Sequence, residues 1–276
     1  MDKKRGRLIF IGLGLCGFKD LSLKAIEALK RSDEIYFEGY TNFVDETTLE
    51  KLEQKVSVPI RELHRKEMEE EAEKLIKSVG NRVVSLIVPG DPFTATTHST
   101  LRILAVEQGI TTEIIHNSSI FSAVPSLLGL SAYRFGRTAT IPFSEGNYPL
   151  SIYPYNIAAM NRQIKAHTLF LLDINLQKKT FLTISEALQQ LQYLEEQHNQ
   201  KLITHRSIWA GIAKMGYKEP TIKVGGFQKV FNVNWREIGP PQCLVLCDRY
   251  LDIVEKEFLE KVWKVPQINL QGAPDL

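Results

Sequence analysis

The stretch Val83-Val84-Ser85-Leu86-Ile87-Val88 runs into Pro89-Gly90-Asp91-Pro92-Phe93-Thr94, so an apolar segment breaks into a rigid polar turn carrying one carboxylate. An apolar run without alternation reads as a strand buried on both faces of a parallel sheet, and Pro89 with Gly90 ends its pairing. In open parallel sheets the carboxyl edge is where small molecules bind. Asp91 is therefore placed to accept hydrogen bonds from a polar part of a ligand. Its other reading is a turn-former that bonds its own backbone, which is common for Asp before Pro.

A second constellation, Gly12-Leu13-Gly14-Leu15-Cys16-Gly17, fits the Gly-x-Gly-x-x-Gly fingerprint of dinucleotide sites, with Glu38 downstream as the acid that would meet a ribose. A nicotinamide-dependent oxidoreductase is thus a competing reading. The fingerprint requires a helix that begins inside the loop, so that its amino terminus points at the pyrophosphate. Here Phe18, Lys19 and Asp20 intervene, and Asp20 or Ser22 is expected to occupy that helix end. Gly12 and Gly14 are expected instead to let backbone approach a neutral or cationic ligand closely.

Other polar groups carry two readings each. Ser119 bonds a ligand or caps the helix beginning at Ile120. Thr96, Thr97 and His98 stand at a helix start, where a threonine is expected to cap and His98 to face the ligand or pack. Asp173 ends a strand near the ligand edge or caps the next turn. The loop Glu145-Gly146-Asn147-Tyr148 touches a protein substrate with its aromatic tip or is a plain surface turn. No histidine has a second one at helical spacing, so no metal site is expected.

These groups need a scaffold, and the pattern from Leu8 to His116 supplies βαβ units: apolar runs at 8–15, 35–37, 83–88 and 112–115, with helical periods at 23–30, 67–77 and around Leu101, Leu104 and Ala105. In the second half, 168–174, 208–213 and 243–247 read as core strands, and Thr183-Ile184-Ser185-Glu186 is a capping box opening a helix to about Gln197. The boundary is expected near residue 135, giving domains 1–135 and 136–276. The 34 basic residues are interspersed with 32 acidic ones, for a net charge of +2, so nucleic acid is not the expected partner. Cys16, Cys243 and Cys247 form no Cys-x-x-Cys, which argues against a disulfide framework or thiolate zinc site and suits a reducing cytoplasm. No apolar run approaches the roughly 20 residues of a membrane span. The Gly-broken start lacks a secretion signal's cleavage pattern.

Four segments together, Ile9-Phe10-Ile11-Gly12-Leu13-Gly14-Leu15, Gly90-Asp91-Pro92-Phe93 with Ala95-Thr96-Thr97-His98, Ile115-His116-Asn117-Ser118-Ser119-Ile120, and His167-Thr168-Leu169-Phe170-Leu171-Leu172-Asp173-Ile174, resemble the diphthine synthase family of the tetrapyrrole methylase superfamily. The resemblance implies two α/β domains, the first with a mainly parallel sheet and the second with a mixed one. It further implies a ligand cleft between the domains, a homodimer, S-adenosyl-L-methionine as cofactor, and methylation of a modified histidine on translation elongation factor 2. Carried over motif by motif, the cofactor positions are Leu15, Asp91, Thr94, Ser119, Ile120, Leu172 and Met215. One position departs from the family: Pro240-Pro241 is followed by Gln242 where the family has histidine, and a second family histidine is replaced by Asp252. Gln242 both donates and accepts hydrogen bonds and stays among the cofactor positions. The sequence assigns no catalytic base. Methylation of a tetrapyrrole such as a cobalamin precursor is the alternative within the same fold.

Overall fold

The apolar runs of the first half form a sheet in which every strand is parallel. The computed structural model describes residues 6–44, 47–144 and 150–266; the loop Glu145–Tyr148 lies outside them. The chain divides into two units, 1–120 and 121–276. In the first, β1 (Arg7–Gly12), α1 (Leu23–Lys30), β2 (Glu34–Glu38), α2 (Thr47–Val56), β3 (Ile60–Leu63), α3 (Arg65–Glu69), α4 (Ala72–Val79), β4 (Val83–Val88), α5 (Ser99–Glu107) and β5 (Thr111–Ile115) follow in order. The strands align as β3-β2-β4-β1-β5, with β1 paired in parallel to both β4 and β5. The loops after β1, β4 and β5 therefore leave the sheet side by side at its carboxyl edge.

Alternation along β1 divides the core into two layers. Leu8 and Phe10 pack with Met68, Ala72 and Ile76 of α3 and α4 and with Leu101 and Ala105 of α5. Ile9 and Ile11 pack on the other face with Ala25, Ala28 and Leu29 of α1 and Leu52 of α2. The acidic stretch expected as one helix is two, because the Glu70 and Glu71 amides both reach back to the Lys66 carbonyl and interrupt the ladder.

The second unit opens with α6 (Ile120–Leu128) and continues through β6 (Ala139–Ile141), α7 (Tyr153–Gln163), β7 (Thr168–Leu172), β8 (Ile174–Asn175), β9 (Thr180–Phe181), α8 (Ile184–His198), β10 (Trp209–Ala213), β11 (Thr221–Gly225), α9 (Phe227–Phe231), α10 (Trp235–Ile238), β12 (Gln242–Leu246) and α11 (Ile253–Lys261). Its sheet, β11-β10-β12-β7-β6, is mixed: β6 runs parallel to β7 and the other pairs are antiparallel. Residues just before position 136 already belong here, since Phe135 bridges to His167 and the Gly136 amide donates to the His167 carbonyl. The predicted capping box is present, with Thr183 Oγ1 accepting from the Glu186 amide at 3.2 Å and Glu186 Oε2 from the Thr183 amide at 2.8 Å. Burial pushes the Cys243 thiol up to about 12 and the Cys247 thiol higher still, so both pack as inert apolar groups. Among the described residues no helix is long and apolar enough to cross a membrane, and no group of three or more potential ligands is arranged to hold a metal ion.

Candidate functional site

The loop after β1 does not present its amides outward. Asp20 folds back so that its Oδ2 accepts from the Leu15 amide at 2.8 Å and the Cys16 amide at 2.9 Å, while Cys16 Sγ donates to Oδ1 at 3.3 Å. The α1 helix starts later, at Ser22, whose hydroxyl caps the Ala25 amide at 3.2 Å. The nest of N–H groups that would hold a pyrophosphate is thus filled by an internal carboxylate. Glu38, the expected ribose acid, is fully buried and accepts from the Tyr40 and Thr41 amides at 2.9 and 2.8 Å. Both halves of the dinucleotide fingerprint are occupied by the protein itself.

Gly12 and Gly14 also let the protein's own loops pack closely. A Cβ on Gly12 would lie 2.7 Å from the Gly90 carbonyl oxygen and 2.8 Å from Asn117 Cβ. Gly14, at φ +82°, exchanges hydrogen bonds with Gly90 at 3.1 and 2.9 Å. The close approach these glycines permit is among the loops after β1, β4 and β5. Gly90 differs: at φ +71° the nearest atom a Cβ would meet is Ser119 Cβ at 4.0 Å, which leaves open space at the edge beside Ser119.

Asp91 joins the β4 turn to the end of β5. Its Oδ1 accepts from the Phe93 amide and Thr94 Oγ1, both at 3.1 Å, and its Oδ2 from His116 Nδ1 at 2.8 Å and the Asn117 amide at 3.4 Å. Burial disfavours the ionised form, yet hydrogen bonds from His116, Phe93, Asn117 and Thr94 outweigh it and hold the carboxyl below its ordinary value. The turn-former reading is therefore present in full. What Asp91 offers outward is the shape of the turn and the imidazole it holds.

Asn117 is a hub that sequence reasoning passed over. Its Nδ2 donates to the Gly12 and Asp20 carbonyls, both at 3.0 Å, and its Oδ1 accepts from the Ser118 amide at 2.8 Å. The available signal was a polar residue directly after an apolar strand at the carboxyl edge. At the start of α5 the expected threonine cap is corrected, and of the two readings of His98 the packed one is found. The N-cap is His98 and makes no side-chain capping bond, because the Thr96 hydroxyl donates to the Pro92 carbonyl at 2.9 Å. His98 lies buried under the turn, with Nδ1 donating to the same carbonyl at 2.9 Å.

In the second unit, Leu172, Met215 and Gln242 meet at one sheet edge: Leu172 ends β7, Met215 follows the end of β10, and Gln242 begins β12, which runs antiparallel to both. The cis Pro240–Pro241 bond precedes Gln242, and the Lys214 amide donates to the Pro241 carbonyl at 2.8 Å. Gln242 is turned inward: Nε2 donates to the Trp235 and Gly239 carbonyls at 2.7 and 3.0 Å, and Oε1 accepts from the Ile184 amide at 3.0 Å. Asp252 caps α11 through the Glu255 amide at 2.8 Å. Asp173 does not cap the turn after it through this carboxylate oxygen: its Oδ2 accepts from the Phe143 amide at 3.2 Å, in the loop after β6.

His167 sits in a buried ionic cluster rather than at an edge. The Asp248 amide donates to its Nδ1 at 2.9 Å, so the ring proton is on Nε2, which faces Glu255 Oε1 at 3.2 Å. Glu255 also pairs with Arg134 and accepts from the Ser131 amide at 2.9 Å and the Asp252 amide at 3.1 Å. Burial opposes its charge, but these hydrogen bonds prevail and hold its carboxyl down at about 2.

Of the residues expected at the site, Leu15, Asp91, Thr94, Ser119 and Ile120 lie on the loops at the carboxyl edge of the first sheet, and Leu172, Met215 and Gln242 lie at one edge of the second. The first set carries two hydroxyls, one carboxylate turn and apolar side chains, and no cation, which suits a positively charged, phosphate-free ligand. Residues 7–202 match the model of the Tetrapyrrole (Corrin/Porphyrin) Methylases. The chain is 38% identical over 253 residues to a diphthine synthase of Methanosphaera stadtmanae, covering 91% of this chain and 94% of the relative. It is 34% identical over 257 residues to one of Methanococcus maripaludis, covering 93% and 99%. A crystal structure of diphthine synthase superposes with a TM-score of 0.84 at 34% identity, covering 97% of this chain and all of the other.

Proposed function

Because the chain belongs to the tetrapyrrole methylase family and, within it, to the diphthine synthases, we propose that it methylates the modified histidine of translation elongation factor 2 with S-adenosylmethionine as donor. It is a methyltransferase of diphthamide biosynthesis. When bound, the donor supplies a methyl group on a positively charged sulfur. The observation that carries the reading is Asp20 on the Leu15 and Cys16 amides: it removes the pyrophosphate grip a nicotinamide enzyme needs. The tetrapyrrole alternative is set aside, since the relatives that match more than nine tenths of the chain are diphthine synthases.

In this reading Leu15, Asp91, Thr94, Ser119 and Ile120 are the donor positions of the first unit; Leu172, Met215 and Gln242 are those of the second, where Gln242, bonded to Ile184, Trp235 and Gly239, acts by fixing the backbone around it. Asp91 acts by fixing the turn, so that the Thr94 hydroxyl and the open space beside Gly90 and Ser119 receive the ligand. Methyl transfer from a sulfonium is an in-line displacement, so alignment carries the rate. Holding donor and acceptor in line supplies roughly 7 to 11 kcal/mol. We also take the protein to act as a homodimer in the cytoplasm, where its substrate works.

Calorimetric titration with S-adenosylhomocysteine and with NAD tests the site. Binding of the first and not the second is expected; tight NAD binding with no uptake of S-adenosylhomocysteine overturns the reading.

A further inference from the structure

We propose that His116, oriented by Asp91, is the general base that takes a proton from the substrate amine before methyl transfer. The inference rests on the amine-methylating reading above. An ammonium nitrogen has no lone pair to attack with, and each methyl after the first again requires loss of a proton.

His116 follows β5 directly and stands at the same edge as the turn after β4 and Ser119. Its Nδ1 lies 2.8 Å from Asp91 Oδ2. A carboxylate held ionised only accepts, so Nδ1 carries the ring proton and the lone pair is on Nε2. The His116 side chain is 70% exposed while that of Asp91 is 11% exposed. The imidazole thus reaches outward from a buried anion that stabilises the imidazolium once formed, the arrangement of a base and its orienting carboxylate. His98 and His167 are differently placed: His98 is buried beneath the turn, and His167 has both ring nitrogens bonded inside the second unit. The charges brought by the adjoining segments are Asp91, Asp20, which is taken by the Leu15 and Cys16 amides, and the exposed Lys19 beside it; 117–128 contains no charged residue.

The step balances as follows. The substrate ammonium gives its proton to Nε2, and the freed lone pair forms a bond to the methyl carbon of the sulfonium donor. The carbon–sulfur bond breaks with its electron pair on sulfur, the donor leaves as a neutral thioether, and the imidazolium returns the proton to water.

The test compares wild type with His116→Gln, whose amide still donates to Asp91 but takes no proton, and with His116→Ala. Nitrogen-15 NMR of the ring reads the tautomer without donor; Nδ1–H is expected in wild type and is lost in Asp91→Ala. In single-turnover transfer to elongation factor 2, His116→Gln is expected to bind S-adenosylhomocysteine as wild type does. It should transfer about 10² to 10⁴-fold more slowly and lack the acid limb over which wild-type rate rises with pH. Added imidazole should restore part of the rate in His116→Ala. An Nε2–H tautomer, or His116→Gln at wild-type rate with an unchanged pH profile, overturns the proposal and leaves the methyltransferase reading intact. A wild-type protein that binds donor but transfers nothing overturns both.

Discussion

The Asp20 carboxylate bridges the Leu15 and Cys16 amides at 2.8 and 2.9 Å, closing the glycine loop on itself. Hydrogen bonds to a charged group contribute about 1.5 to 3 kcal/mol each way they are measured by deletion. Asp20→Ala is expected to lower stability by about 2 kcal/mol in urea denaturation and to weaken S-adenosylhomocysteine binding at least tenfold, with Asp20→Asn less affected. Unchanged affinity in Asp20→Ala would detach the loop from the site.

Gly12 faces backbone, with no flexible side chain to yield. A methyl there meets the Gly90 carbonyl oxygen at 2.7 Å, so Gly12→Ala must spread the loops after β1 and β4. Overpacking of this kind costs about 1 to 3 kcal/mol. The expected result is a lower melting temperature together with loss of donor binding; a variant as stable as wild type would show that the loops move apart freely.

Gln242 ties the start of α8 to the end of α10. Gln242→Glu turns an acceptor toward the Trp235 and Gly239 carbonyls, which now receive Nε2 donors at 2.7 and 3.0 Å. Leaving them unpaired costs about 1 to 3 kcal/mol. Gln242→Glu should therefore be less stable than Gln242→Ala in chemical denaturation, an order that reverses if the side chain instead faces solvent.

Glu255 makes stability depend on acid. Its carboxyl is depressed from 4.5 to about 2, so the folded state is favoured with the group ionised. That contribution, roughly 3 kcal/mol, is complete above the unfolded value and is lost as pH falls from about 4.5 toward 2. Glu255→Gln should flatten the stability profile in that window and, by removing one of the two carboxylates that Arg134 faces, destabilise by about 1 to 3 kcal/mol at neutral pH. A variant that retains the wild-type acid slope would locate the titrating group elsewhere.

The strand Val83–Val88 and its turn were legible because an apolar run that stops at Pro-Gly has few other solutions, and the Thr183 box because capping is local. The parallel first sheet and mixed second sheet followed from the βαβ pattern and the family resemblance. The β3 strand, Ile60–Leu63, escaped because it lies at the sheet edge with two exposed residues in the middle. Asp20 was legible as a side chain that would block a phosphate, but its Leu15 and Cys16 amide partners were not, and Asn117 was hidden altogether, because loop amides and carbonyls have no sequence signature and only the folded chain shows which side chain reaches them. The same holds for Asp91, whose pairing with His116 joins residues on two different loops.

The most direct measurement is mass analysis of elongation factor 2 carrying the unmethylated histidine modification, after incubation with this protein and a methyl-labelled S-adenosylmethionine. Label on the amine of that modified histidine is expected. A folded, donor-binding protein that leaves the factor unlabelled would contradict the account.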